Sequence, residues 1–207
     1  MSAVPMLAGV GLMMVCCSSS SMASMMMGGG EETPAAGAGA GAAAATLPSG
    51  QYVRLEQTIA YDASAMRDDG TTAGNDDDKH RILNLAELEV FAKGGTTSLA
   101  AGKTVTGSSE YSATHGYLNL VDGNMTNFAH TKGRTAEEID YLQVDLGSVQ
   151  EIEKIKITNR TSCCKNRAIG VKAVILGADG TTVVKETPAI STAADTYTFT
   201  FPGTAWV

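Results

Sequence analysis

The segment 159–167 reads NRTSCCKNR and gathers residue types suited to binding an oxygen-rich ligand. Cys163 and Cys164 are adjacent, and Arg160 and Arg167 bracket them, in a chain with four cysteines in all. Each arginine offers a planar fork of N–H donors. Adjacent cysteines are either oxidised to each other or free, and their spacing does not decide between the two states. The segment therefore predicts a binding loop.

The rest of the chain holds no arrangement of residues typical of an enzyme. It has three histidines, no serine nucleophile elbow, no phosphate-binding glycine loop and no pair of histidines at metal-ligand spacing. Its formal net charge is -7 and no cluster of lysines and arginines occurs. Nucleic-acid binding needs such a cluster. We expect neither catalysis nor a nucleic-acid partner.

The first thirty residues form an apolar leader without a charged residue. Residues 4–17 are an apolar run, and as a helix they would rise ~21 Å against a ~30 Å hydrocarbon core. Membrane contact through residues 4–27, palmitate on Cys16 and Cys17, a targeting signal and an unstructured tail all remain open. The CCSSSS core resembles short leaders in proteins of large DNA viruses of algae, which implies a virion surface as one location.

Composition changes twice after the leader. Residues 31–50 are rich in alanine and glycine, which is typical of a flexible linker. From residue 51 to 207, short Val/Ile/Leu/Tyr/Thr runs alternate with Gly, Asp, Asn and Pro, which predicts one all-β domain. The aspartate-rich segment 67–79 between the first two runs favours a solvated loop over a calcium loop.

Seven runs are predicted to be strands, at the regular spacing of a β-sandwich. The run at 82–91 also fits helical spacing, but Val90, Phe91 and the glycines after them favour a strand. The predicted strands lie at 51–58, 82–91, 141–147, 152–160, 171–177, 181–187 and 195–203.

Three segments together resemble a known family. LNLVDGN at 118–124, YLQVDLG at 141–147 and ITNRTSCCKNR at 157–167 are similar, in this order, to segments of galactose-binding-like or discoidin (F5/8 type C) domains, and in particular of their fucose-lectin branch. The resemblance implies an all-β, eight-stranded jelly-roll sandwich. It also implies a structural calcium ion and a terminal sugar bound in a shallow site on the loops.

The order of the segments departs from that of the family. Strands resembling those at 51–58 and 82–91 ordinarily end such a domain, whereas here they begin it. The chain therefore looks circularly permuted, with the old ends joined through residues 94–103. Permutation is tolerated where termini lie close together at a surface.

The resemblance implies calcium as a cofactor. The proposed ligands are Asn119, Asp122, Asn124, Thr131, Ala86 and Glu87. Calcium takes six to eight oxygens, and a tight loop supplies several of them through backbone carbonyls. The loop here is one residue shorter than in the lectins, so Lys132 could take the place of Thr131. The alternative is an ordinary Asx turn with glycine at positive φ. A buried Glu87, which would need a partner, favours calcium.

The resemblance also implies a sugar site, for which the proposed residues are Arg160, Cys163, Cys164, Arg167 and Arg134. A disulfide between adjacent cysteines closes an eight-membered ring and would offer a flat apolar surface to a sugar. Two positions depart from the family. Its aspartate two residues after the first arginine is Ser162 here, so Arg160 is expected to lose the acid that would orient it. Its histidine after the calcium loop is replaced by Arg134 or Thr135, with His130 lying earlier. Both changes put fucose in doubt and leave galactose-type or anionic sugars open.

Two functions from different classes follow. The first is a calcium-stabilised lectin-like module, displayed outside the cell, on a membrane or on a virion. The second is a structural or minor capsid protein, in which the same sandwich contacts other copies or assembly partners and sugar binding is vestigial. Asn124 and Asn159 begin glycosylation sequons, and a glycan on either residue would obstruct the proposed sites.

Overall fold

The computed structural model describes residues 46–59, 82–133 and 139–207. The predictions for the leader, for most of the linker, for the aspartate-rich segment and for Arg134 lie outside these ranges. In the described ranges, no helix is long and apolar enough to cross a membrane.

The described chain is built almost entirely from antiparallel strands, as predicted. Eight strands follow in chain order: β1 (Ser49–Gln57), β2 (Asn84–Ala92), β3 (Thr104–Gly107), β4 (Ala129–His130), β5 (Tyr141–Asn159), β6 (Val171–Leu176), β7 (Val183–Glu186) and β8 (Thr196–Thr200). Short 3-10 helices lie at Ala113–His115, Tyr117–Leu120 and Lys165–Ala168.

Strand β5 connects two groups of strands. Its first half pairs with β1 and β3, and β1 pairs in turn with β6, which pairs with β7. Its second half pairs with β2 and β8, and β2 pairs with β4. The register against β1 shifts between Gly50 and Tyr52, opposite Gly147 at φ +87. This irregularity separates the half of β5 that joins one group from the half that joins the other.

One hydrophobic core receives side chains from both groups of strands, which is the arrangement of a sandwich. It includes Val53, Leu55, Leu88, Val90, Leu142, Val144, Ile155, Ile157, Ile175 and Phe199, all at most 1% exposed. Along β1 the buried residues alternate with half-buried ones, because successive side chains of a strand point to opposite faces. The predicted all-β sandwich is therefore confirmed.

Several strand boundaries differ from the prediction. The strands predicted at 141–147 and 152–160 form the single strand β5, because the chain stays extended through the irregularity at Gly147. Strand β1 begins at Ser49, inside the segment 31–50 expected to be linker. Strands β3 and β4 were not predicted, since they have four and two residues and no alternating pattern long enough to recognise.

The segment 94–103, in which the old ends of a permuted domain would be joined, lies between β2 and β3. Ala100 is fully buried there, and Gly94 and Gly102 adopt positive φ of 67° and 65°. Leu99 N donates to Val90 O at 2.7 Å, and Gly102 N donates to Val121 O at 2.8 Å. The segment is thus packed against its surroundings and ordered. The permutation itself stays a prediction.

Gly170 allows the chain to turn from the Lys165–Ala168 helix into β6. Its φ is +86°, and a Cβ added there would overlap Gln57 Oε1 and lie 2.6 Å from Ile59 Cγ1. We expect Gly170→Ala to lower the free energy of unfolding by more than about 1 kcal/mol, because both the backbone and the space oppose a side chain. Chemical denaturation measures the change. Gly123→Ala is the control, since its φ is also positive but no atom lies within 4 Å. An equal loss in both variants would contradict the steric part of the argument.

Candidate functional site

The loop that follows β5 carries the cysteines and arginines of the predicted sugar site, and Asn159 holds its base. Asn159 is fully buried, and its side-chain nitrogen donates to Lys165 O and to Ala194 O at 2.9 Å each. Its side-chain oxygen accepts from Arg160 N at 2.9 Å. Because all of these bonds are internal, Asn159 fixes both ends of the loop 160–165 against the strands.

Cys163 and Cys164 are joined by a disulfide, which settles the choice between oxidised and free cysteines in favour of the bond. Cys163 is exposed and Cys164 half-buried. Cys164 adopts the left-handed backbone conformation at φ 62°, and its carbonyl accepts from Arg167 N at 3.1 Å. The disulfide therefore forms a rigid part of the surface of the loop, with one sulfur-bearing residue open to solvent.

Arg160 is held in place by two neighbours. Its guanidinium carbon lies 4.1 Å from the centroid of the Phe128 ring, a cation–π contact. Its Nε donates to Ser162 Oγ at 2.8 Å. The sequence led us to expect that serine in place of aspartate would leave Arg160 without an orienting partner. That expectation is wrong, because the hydroxyl accepts the bond and the aromatic ring supports the guanidinium plane.

Arg167 meets His130 at the back of the same site. Both side chains are 8% exposed, and Arg167 Nη1 lies 3.2 Å from His130 Nε2. His130 Nδ1 lies 2.5 Å from Thr131 O, an acceptor only, so Nδ1 carries the proton. Nε2 is then the acceptor for the arginine. A histidine thus stands beside the arginines after all, and it reaches them from an earlier position than the family's spacing indicated.

An aromatic cluster that the sequence analysis did not identify surrounds this pair. The ring centroids of Tyr111 and His130 are 4.7 Å apart, and those of His115 and Phe128 are 4.5 Å apart. Ser112 Oγ lies 3.0 Å from His115 Nδ1. Tyr111 is 58% exposed, so the cluster presents one open ring to solvent. Aromatic rings beside arginines are a surface suited to the apolar face and the hydroxyls of a sugar.

The charges of the site act on His130. The pKa of His130 is lowered to about 4, chiefly by burial and also by the positive charges of Arg167, Arg160 and His115, although a hydrogen bond to Thr131 acts to raise it. Burial also lowers the pKa of Arg160. At neutral pH the site therefore holds a neutral histidine between two arginines. Its net charge is positive, which suits neutral or anionic ligands.

This histidine predicts a pH dependence of stability. His130 titrates near 6.5 when unfolded and about 4 when folded, so the unfolded chain binds the extra proton between these values. The stability that His130 contributes is present above pH 6.5 and is lost as the pH falls through 4. We expect wild type to lose up to about 3 kcal/mol relative to His130→Gln over that range. Urea denaturation at each pH measures the difference, and a difference that does not change with pH would contradict it.

The predicted calcium loop contacts Glu87, the predicted ligand on β2. Gly123 N donates to the carboxylate of Glu87 at 3.1 Å, and Glu87 is 3% exposed. Asp122 accepts from Asn124 N at 2.8 Å and from Asn127 Nδ2 at 2.7 Å. The loop is therefore an Asx turn, as the alternative interpretation required, and it also faces a buried carboxylate.

Electrostatics at Glu87 fit a cation. The pKa of Glu87 is raised to about 7, chiefly by burial and also by the charge of Asp122, against the lowering effect of the hydrogen bond from Gly123. Two carboxylates thus repel each other at the loop, and a divalent cation would relieve that repulsion. No three His, Cys, Asp or Glu side chains of the described ranges are grouped as a metal site. A cation here would need backbone carbonyls for its remaining ligands.

The other predicted calcium ligands are placed differently from one another. Ala86 lies at a bulge, because β2 pairs with β5 at Leu85 and at Glu87 but not at Ala86. Such a position suits a carbonyl that binds a cation. The Thr131 hydroxyl donates to Asp140 Oδ2 at 2.6 Å and accepts from Leu83 N at 2.9 Å. Since these bonds occupy that hydroxyl, the structure gives no support to its assignment as a calcium ligand.

Asn119 holds the loop shut from the other side. Its side-chain nitrogen donates to Thr114 O at 3.0 Å and to Phe128 O at 3.1 Å. The second bond ties the loop to the residue that supports Arg160. The predicted cation loop and the predicted sugar site therefore share one segment of backbone.

Part of the chain matches the model of a known domain family. Residues 119–206 match the model of the NedA-like, galactose-binding domain of the F5/8 type C group. This part of the chain includes the Asp122 loop, all of β5 and the disulfide loop. Residues 119–206 are galactose-binding-like. No curated protein and no solved structure is similar enough to the chain to count as a match.

The galactose-binding-like domain extends beyond the matched residues. β1 and β2 precede residue 119, yet both pair with β5, and β1 also pairs with β6. Domains of this kind are typically non-catalytic binding modules, and the family indicates carbohydrate binding in general. The resemblance to discoidin domains is therefore confirmed. The fucose-lectin branch stays a prediction.

The two glycosylation sequons differ in access within the galactose-binding-like domain. Asn159 is fully buried with its side-chain nitrogen bonded, so it is closed to modification in the folded state. Asn124 is exposed, and its side-chain oxygen accepts from Thr126 N at 3.0 Å. A glycan could therefore obstruct the Asp122 loop but not the base of the disulfide loop.

Proposed function

We propose that this chain is a calcium-stabilised carbohydrate-binding module. One observation carries the proposal: two arginines, each held by an aromatic or imidazole ring, stand beside a rigid disulfide in a galactose-binding-like domain. Oriented guanidinium groups bind hydroxyl and ring oxygens, and the disulfide and the open Tyr111 ring offer apolar surface. The same features supply no nucleophile, so the proposal is a binding module and not an enzyme.

The ligand class follows from the charge and the shape of the site. A terminal sugar would lay its apolar face on the disulfide and turn hydroxyls toward Arg160 and Arg167. The absence of the family's histidine and aspartate had put fucose in doubt. His130 lies beside Arg167 in place of that histidine, and Ser162 orients Arg160 in place of that aspartate. We therefore propose a fucose- or galactose-type sugar, with an anionic sugar as the alternative that the positive charge admits. Arg134, which lies outside the described residues, would add to that charge.

Calcium is proposed as a structural cofactor at the Asp122 loop. Glu87 and Asp122 would provide the carboxylates, and the backbone carbonyls of Ala86, Asn119 and Asn124 would provide further oxygens. The ion would neutralise the repulsion between the two carboxylates and tie the loop to β2. Because Asn119 connects this loop to the carbonyl of Phe128, a stable loop would keep the support of Arg160 in position.

Calcium should therefore raise the melting temperature. For a chain of this size we expect about 5–10 °C when calcium exceeds its dissociation constant a hundredfold. Glu87→Gln and Asp122→Asn should each remove most of the shift. Asp179→Asn is the matched control, because Asp179 accepts Thr181 N and Thr182 N in an exposed turn elsewhere. Differential scanning fluorimetry in calcium and in EDTA measures the effect, and equal melting temperatures for wild type would refute calcium stabilisation.

The N-terminal residues would determine where the module acts. We propose that residues 4–27 contact a membrane or particle surface and that the linker holds the domain away from it. Many copies on one surface would turn weak single contacts into strong overall binding. Confocal imaging of a fluorescent fusion, with and without residues 1–30, tests this part separately, and an unchanged distribution would refute it.

A glycan array probed with the full chain tests the proposed function. We expect retention on glycans that share one terminal sugar and competition by that free sugar. A folded chain that is retained by no glycan, but assembles with copies of itself, would favour the structural alternative.

A further inference from the structure

Asn84, the first residue of β2, has a buried side-chain amide that makes no hydrogen bond to the described residues. It is 1% exposed, and neither its side-chain oxygen nor its side-chain nitrogen has a partner within the described part of the chain. Buried polar atoms are normally paired, because leaving them unpaired after removal from water costs free energy. An apolar side chain of similar size would avoid that cost. Packing alone therefore does not explain an amide at this position.

The position of Asn84 relates this amide to the proposed sugar site. Asn84 pairs with His130 across β2 and β4, so the two side chains point to the same face with Cβ atoms about 5 Å apart. His130 in turn lies 3.2 Å from Arg167 Nη1. The Lys165–Ala168 helix packs against β2, and in that helix Asn166 Oδ1 is also buried without a partner in the described ranges. Unpaired polar atoms of two residues thus lie on β2 and on the helix that carries Arg167.

The chemistry of an amide indicates what could pair with it. Its nitrogen donates and its oxygen accepts, and a single hydroxyl group does both. A carboxylate only accepts, so it would leave the amide oxygen unpaired. An ordered water has the same capacity as a hydroxyl and occupies buried sites of this kind. A hydroxyl, met directly or through one water, would therefore satisfy both polar atoms of Asn84.

We propose that Asn84 is a specificity-determining residue of the glycan site, which pairs its amide with one hydroxyl of the bound sugar, directly or through one ordered water. The inference rests on the proposed carbohydrate binding and refines it. It selects a neutral hydroxyl, not an acidic group, as the part of the sugar that points inward past Arg167 and His130.

Two substitutions in the full chain test the role of Asn84. Asn84→Leu replaces the amide by an apolar group of similar size, and Asn84→Ala removes it without adding bulk. Isothermal titration with the sugar selected on a glycan array should show about tenfold weaker binding in both, which is the loss of 1.4 kcal/mol. The melting temperature of Asn84→Leu should be equal to or above that of wild type, because an unpaired amide is gone. A residue with only a packing role would not weaken binding while stability is kept.

Deoxy sugars locate the hydroxyl. Derivatives of the sugar that each lack one hydroxyl would be titrated in turn. One of them should bind wild type about tenfold more weakly than the parent sugar does. The same derivative and the parent sugar should bind Asn84→Leu with equal affinity. Unchanged affinity in both variants, while wild type binds and Arg160→Ala does not, would overturn the role of Asn84 and leave the proposed function standing. Wild type that binds no sugar would overturn both. If Asn84→Leu does not fold, Asn84→Ala decides between the same outcomes.

Discussion

Arg160→Ala should abolish measurable sugar binding. Arg160 is the more accessible of the two arginines, and its guanidinium is oriented by the Phe128 ring and by Ser162. Charge-assisted hydrogen bonds from such a group contribute about 2–3 kcal/mol, so affinity should fall roughly 30- to 150-fold. A weak lectin would then fall below detection. Isothermal titration with the sugar selected on an array measures the change.

The chain offers a matched control for this substitution. Arg54 also lies over an aromatic ring, with its guanidinium carbon 4.9 Å from the centroid of Tyr141, but it belongs to β1 and not to the disulfide loop. Arg54→Ala should keep the affinity of wild type. Equal losses in the two variants would show that the effect comes from general positive charge or from stability. Full affinity in Arg160→Ala would place the sugar elsewhere.

A fragment of residues 119–207 should fail to fold, although it contains all of the residues matched by the family model. The fragment lacks β1, β2 and β3, so strand β5 loses both neighbours of its first half and one neighbour of its second half. From β1 and β2 alone it loses five almost fully buried Val and Leu side chains: Val53, Leu55, Leu85, Leu88 and Val90. Their burial contributes roughly 8–15 kcal/mol, which is as large as the net stability of a whole domain.

Circular dichroism and thermal denaturation test the fragment. We expect no cooperative transition for residues 119–207 and a full transition for residues 43–207, which contain every described strand. A cooperative transition in the shorter fragment would show that β1, β2 and β3 are additions to a complete domain. The interpretation of the chain as one permuted domain would then be wrong.

Local patterns were enough to predict most of the sandwich. The alternation of Val53 and Leu55 with polar residues predicted β1, and the structure buries both side chains fully. The segment of β2 was predicted to be a strand although its spacing also fitted a helix. The ambiguity arose because the bulge at Ala86 breaks the strand's alternation of inward and outward residues. β4 could not be predicted, since two residues carry no period and its pairing with β2 depends on the tertiary fold.

The site was only partly predictable for a similar reason. The Arg160 to Arg167 loop is one local segment, so its spacing could be read directly. His130, Phe128 and Tyr111 reach the loop from other segments, and their approach depends on β4 and on the 3-10 helices. Counting from the calcium loop pointed to Arg134, which lies outside the described residues, whereas the histidine beside Arg167 is His130. The sequence FAH at 128–130, in which an aromatic residue lies two positions before a histidine, was the signal that could have identified Phe128 and His130.

Isothermal titration of the full chain tests the proposed sugar binding most directly. Oxidised protein would be titrated with fucose, galactose and a sialylated oligosaccharide, first in calcium and then in EDTA. We expect saturable heat with one of the three in calcium and a weaker response in EDTA. No saturable heat with any of them, from a chain whose melting temperature shows it to be folded, would contradict the account.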